Sequence, residues 1–137
     1  MRRLVGDRSA AAWARAACLG LGWLGLAAGA TQAQVVTEFG AGISAGAFPL
    51  NITTGPDGNL WFTELDGQRI GRITPRGVVT EFGAGITAGG KPVDIKAGPD
   101  GNLWFTERVG NRIGRITPAG EVTEFSAGIT AGAGPRC

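Results

Sequence analysis

The feature that most limits what this chain can fold into is a gapless internal repeat. Residues 36–78 align with residues 79–121 at a period of 43, with 31 of the 43 positions identical, and residues 122–137 begin a third copy. Thr37-Glu38-Phe39, Thr80-Glu81-Phe82 and Thr123-Glu124-Phe125 mark the same point in each. A period of this length belongs either to a propeller blade or to a HEAT or armadillo helical pair. The residues within the period decide between them. Strand-length apolar runs are cut by Gly and Pro, and beyond residue 33 no ten-residue stretch holds a helical apolar period free of both.

Each repeat predicts four strands, in the first copy over 49–54, 59–64, 69–74 and 78–82. Gly55-Pro56-Asp57-Gly58 joins the first two, because Pro presets φ and Gly accepts a positive one. Pro75-Arg76-Gly77 turns the third into the fourth. The second strand is apolar on both faces, with Leu60 and Phe62 on one side and Trp61 on the other. A sheet with one wet face would alternate apolar and polar residues. Two dry faces require a neighbour on each side, which blades stacked around an axis provide. The Gly- and Ala-rich residues 83–90 suit the crossing from an outer strand to the inner strand of the next blade, where small side chains let the backbone pass closely. The fold class is therefore all-β: a partial β-propeller of four-stranded antiparallel blades over residues 34–137.

Propellers typically close with four to eight blades, so two blades predict dry end faces and unpaired strand edges. Three outcomes are open: a ring of several copies, truncation of a longer reading frame, or a remnant that folds poorly. The stop in mid-repeat, and the lack of any repeat with the altered sequence of a cap, favour truncation.

Residues 1–33 read as a secretory signal peptide. Arg2, Arg3, Arg8 and Arg15 precede an uncharged stretch with Leu19, Leu21, Trp23, Leu24 and Leu26, and Ala28-Gly29-Ala30 and Thr31-Gln32-Ala33 both fit a small-x-small cleavage site. The apolar stretch falls short of the roughly 20 residues that span a bilayer, so no stable membrane span is expected after cleavage. The expected location is secreted or periplasmic. The leader holds four of the 13 basic residues and one of the 11 acidic ones, leaving nine and ten, a net charge of about −1. The basic character thus belongs to the leader, and a nucleic-acid partner loses its electrostatic basis. Cys18 leaves with the leader. Cys137 then has no intrachain partner and is open to an intermolecular bridge or incidental to where the chain stops.

Candidate chemistry is sparse. Glu64 and Glu107 end the second strand of each blade, where they could line a channel mouth and offer oxygen ligands to a divalent cation. Recurring in every blade, they read more readily as architectural, paired with Arg69 and Arg112. Asp57 and Asp100 are expected to bond the backbone of their turns. Arg72 and Arg115 either bind an anionic ligand or pair with Glu81 and Glu124 on the next strand. Phe48 and Lys91 hold matching positions yet differ, which marks a place for ligand contact or for drift. No P-loop and no Cys/His cluster is present, and without a single histidine there is no serine-hydrolase triad and no assignable catalytic residue.

The blocks Gly55-Pro56-Asp57-Gly58-Asn59-Leu60-Trp61-Phe62-Thr63-Glu64, Arg69-Ile70-Gly71-Arg72-Ile73-Thr74-Pro75 and Val79-Thr80-Glu81-Phe82, repeated from Gly98, resemble the blade of the virginiamycin B lyase, or streptogramin lyase, family. The resemblance implies a seven-bladed propeller with a ligand site at one mouth of its channel. It also implies elimination at the ester bond of a cyclic depsipeptide antibiotic, with a magnesium ion and a histidine base. The absence of histidine departs from that pattern. A carboxylate replacing it would need positioning and a tuned pKa. Two functions follow: a binding or scaffold module that self-assembles or pairs with other blades around an unassigned sugar, peptide or small-molecule ligand, or a carbon–oxygen lyase complete only in a longer parent chain.

Overall fold

The computed structural model describes residues 32–134. Most of the expected leader, its cleavage site at Ala28-Gly29-Ala30, and both cysteines lie outside the described residues. The chain divides into two units, Met1–Thr37 and Glu38–Cys137. Residues 32–37 of the first have no regular secondary structure; the blades belong to the second. No helix among the described residues is long and apolar enough to cross a membrane.

The first blade is a sheet in the order β1 (Pro49–Thr54), β2 (Leu60–Glu64), β3 (Arg69–Ile73) and β4 (Val79–Phe82). The second repeats it with β5 (Pro92–Ala97), β6 (Leu103–Glu107), β7 (Arg112–Ile116) and β8 (Val122–Phe125). All neighbours pair antiparallel. The sequence places these strands within one residue of their ends. The difference lies in the turns: Asn59 O accepts from Gly55 N–H at 2.8 Å and Val78 O from Thr74 N–H at 2.9 Å, so Asn59, Thr74 and Val78 close turns rather than extend strands. Gly58 at the first turn has φ 77°, the left-handed conformation that Gly accepts without strain.

Register sorts the side chains onto two faces. Trp61 stands opposite Arg72, and Thr63 opposite Ile70, so these share one face of the first blade. Leu60 opposite Ile73, and Ile52 opposite Phe62, define the other. Phe62 lies over Gly71, where any Cβ would enter its ring. The blades stack with the Trp61 face of the first against the matching Ile95 face of the second. Trp61, Ile70, Ile95, Leu103, Phe105 and Ile116 form one buried cluster, with Phe82, Ile86 and Val122 packed against it. Polar contacts also cross the junction, among them Asn51 Nδ2 donating to Asp94 Oδ1 at 2.6 Å, Thr63 Oγ1 to Val93 O at 3.0 Å, and Arg72 Nη1 to Pro118 O at 3.2 Å.

Candidate functional site

Glu64 and Glu107 end β2 and β6 fully buried, so neither lines an open mouth as the sequence suggested. As carboxylates, neither has a donor on either oxygen. Arg69, the expected partner of Glu64, binds Glu81 instead, with Nη1 3.0 Å from Oε2. Ser44 completes this cluster: its N–H and hydroxyl donate to Glu81 at 2.5 and 2.6 Å, and Arg69 Nη1 donates to the same hydroxyl at 2.6 Å. In the second blade Thr87 bonds Glu124 in the same way, and Arg112 lies 3.6 Å from it.

Burial pushes Glu64 up to about 7, the neighbouring Glu81 carboxylate adds to the rise, and Arg69 opposes it. Glu107 rises to about 7 for the same reasons, with Glu124 as its neighbour. Burial alone would raise Glu81 as well, but the Ser44 hydroxyl and N–H, the Glu64 carboxyl and Arg69 together hold it below the usual range. A protonated Glu64 donating to Glu81 adds to both shifts, after burial at Glu64 and the Ser44 donors at Glu81. It removes an unpaired buried charge and gives the buried oxygen a partner. The negative charge stays on Glu81, whose donors already favour it.

The magnesium ion that the resemblance implies favours a near-octahedral set of oxygens and gives up its water reluctantly. Each blade offers one dry carboxyl that keeps its proton up to about pH 7 and one carboxylate already engaged by a guanidinium, a hydroxyl and an N–H. Glu64 and Glu107 each interact with the glutamate of their own blade rather than with each other. That donor set does not fit magnesium. Among the described residues no group of three or more His, Cys, Asp or Glu side chains could hold a metal.

Arg72 and Arg115 do not pair with Glu81 and Glu124. The Arg72 guanidinium lies 5.6 Å from the Trp61 ring centroid and 5.5 Å from that of Phe82, and Arg115 sits the same way over Trp104 and Phe125. Register is the cause: Arg72 shares a face with Trp61, whereas Glu81 stands opposite Gly71 on the other face. Asp57 bonds its turn as expected, accepting from Asn59 N–H at 3.2 Å. It also accepts the Trp61 indole N–H at 2.9 Å, so the turn orients the core aromatic. Asp100 does the same for Trp104, and hydrogen bonds from Asn102 and Trp104 lower it to about 2.

The sequence reading missed the Asn51–Asp94 bridge between the inner strands. Its signal was present, since residues 51 and 94 hold the same repeat position and differ only as amide and carboxylate. Phe48 and Lys91 separate in role. Lys91 Nζ lies 3.5 Å from Asp66 Oδ1, while Phe48 stands exposed. On the outward face of the first blade a groove of about 390 Å³ is lined by Phe39, Leu50, Ile52, Leu60 and Ile73, among others, with Asn51 its one polar side chain.

The virginiamycin B lyase family model matches residues 26–136. A streptogramin B lyase structure is 42% identical with a TM-score of 0.68, over 74% of this chain and 33% of that one. Selenomethionine-substituted virginiamycin B lyase from Staphylococcus aureus is 46% identical with a TM-score of 0.69, over the same shares. A catalytically inactive His-to-Ala variant of the S. aureus enzyme with quinupristin is 44% identical with a TM-score of 0.63, over 67% of this chain and 31% of that one. No curated protein matches. The chain thus spans about a third of the length of the lyase structures it matches. With a family match over most of its residues and 42–46% identity to lyase structures, the chain belongs to the virginiamycin B lyase family.

Proposed function

We propose that this chain is an exported binding module built from lyase-type blades, and that it has no lyase activity by itself. One observation carries the reading: the chain has no histidine, while a relative that lost a histidine to alanine is catalytically inactive. Proton abstraction beside a carbonyl needs a base that reaches the substrate with a suitable pKa. The carboxyls nearest to such a value, Glu64 and Glu107, are sealed inside the blades and engaged with a second glutamate. Within the strands the two copies differ only on the inner ones, at Leu50 and Val93, Asn51 and Asp94, Thr53 and Lys96, and Thr54 and Ala97. Ligand selectivity is therefore assigned to the inner-strand side, for a sugar, peptide or other small molecule.

The test is incubation of the purified chain with magnesium and a type B streptogramin, followed by mass analysis for the linearised product. No product is expected, and turnover would sink the reading. Export is tested by the mass of protein recovered outside the cytoplasm, expected to begin at Gln34. A second reading, a lyase complete only in a longer parent chain, is favoured by the family match and the 42–46% identity to lyases. It predicts turnover from the parent chain and none from this one.

A further inference from the structure

Both sides of the internal blade junction exist a second time, with no blade stacked on them. The Trp104 face of the second blade repeats the Trp61 face, and the Ile52–Leu60–Phe62–Ile73 face of the first blade repeats the buried Ile95–Leu103–Phe105–Ile116 face. Strands β2, β3 and β4 are identical in sequence to β6, β7 and β8. The open face of the second blade therefore suits the open face of the first, by the same packing already seen inside the chain. The groove on the first blade is the hollow that an incoming Trp104 face would fill.

The positions that differ say which blade belongs there. Across the internal junction Lys91 faces Asp66 at 3.5 Å. One repeat earlier, Lys91 corresponds to Phe48; one repeat later, Asp66 corresponds to Val109. The ion pair is replaced on both sides at once by an apolar pair, and these residues are 57% and 63% exposed. Phe48 holds φ 56° as Lys91 holds 55°, so the chain enters both blades with the same backbone at this position. Arg72 reaches Pro118 O of the neighbouring blade, whereas Arg115 makes no such bond and its Nε is buried without an acceptor. The corresponding carbonyl for Arg115 Nη1 belongs to Pro75 of an incoming first blade. Asp94 and an incoming Asn51 meet at the same inner-strand places as in the internal junction, with donor and acceptor exchanged.

We propose that a second copy of this chain docks the Leu60 face of its first blade on the Trp104 face of the second blade, repeating the internal junction between molecules and covering Val109 with Phe48. Residues 126–134 of the first copy and 40–48 of the second are the same element of the repeat, so the former give way; Phe39 of the second copy, which lies against Gly77 as Phe82 lies against Gly120, yields its place to the incoming Phe125. They are held near the junction by two hydrogen bonds to Asn111, from Gly134 N–H and to Thr130 O, and the incoming element offers equivalent groups. The contact is head to tail, so it forms a closed ring or an open filament according to its rotation. At two blades per copy, a closed ring of roughly four to eight blades takes about two to four copies. The inference stands independently of whether the chain binds a ligand or serves a lyase.

Light scattering on the full chain between about 1 and 100 µM tests it. The expected result is concentration-dependent assembly toward about two to four copies if the ring closes. Val109→Asp leaves a charge against Phe48 and weakens assembly by about tenfold or more, with an unchanged far-UV circular dichroism spectrum. Adding Phe48→Lys to that variant rebuilds the Asp66–Lys91 type of pair and restores assembly. A wild-type chain that stays monomeric would overturn the proposal, as would a neighbouring blade of a longer parent chain occupying these faces. Assembly indifferent to Val109→Asp, or not restored in the double variant, would show nonspecific association of apolar surface and overturn it equally.

Discussion

The two blades share the strand sequences LWFTE, RIGRI and VTEF, yet their environments are nearly opposite. Trp61 is fully buried and Trp104 half-exposed; Leu60 is exposed and Leu103 fully buried. Ile52 and Ile95 differ likewise. Nothing local causes this. Each blade makes the same turn, the same indole–aspartate bond and the same stacked Trp–Phe pair, at 5.4 Å in the first and 5.5 Å in the second. A blade is thus a local structure with two sticky faces, and its stability depends on which of them is covered.

The sharpest check sets the two tryptophans against each other in protein dilute enough to be monomeric. Trp61→Ala should lower the unfolding free energy by about 3–5 kcal/mol, through lost contacts and a cavity at the junction. Trp104→Ala should lower it by about 1–2 kcal/mol, since its outer side is already wet. Urea unfolding of both variants measures the gap, and equal losses would break the comparison. The leucines should reverse the order: Leu103→Ala loses about 2–5 kcal/mol, and Leu60→Ala under about 1 kcal/mol.

The carboxyl pairs supply the opposite case, because Glu64 and Glu107 sit alike in both blades. Each has a folded pKa of about 7 against an ordinary 4.5, so the folded state holds the extra proton between those values. Stability is full below the unfolded value and declines as pH rises through about 7. Glu81 and Glu124 are lowered, and their contribution is lost on acidification instead. Glu64→Gln and Glu107→Gln should each flatten the decline toward alkaline pH and stabilise the chain near pH 8 by about 1–3 kcal/mol. Thermal unfolding across pH measures it, and unlike effects in the two blades would show that the sites differ. The smallest effect belongs to the bridge between inner strands. Asn51→Ala should lower stability by about 1 kcal/mol, by leaving Asp94 with a donor fewer.

Strand order, strand ends and the turns at Asp57 and Asp100 were legible in the sequence, because they rest on period, pleat alternation and the φ preferences of Pro and Gly. Those causes act within a few residues and recur with every copy. The choice of Glu81 over Glu64 by Arg69, the stacking of Arg72 on Trp61, and the retained proton on Glu64 were not legible. Each depends on which groups share a face and how dry that face becomes once Ser44 and the neighbouring strand are in place. Two identical pentapeptides cannot encode which tryptophan is buried; only the stacking of one blade on the next decided that, by removing water from one face of each sheet.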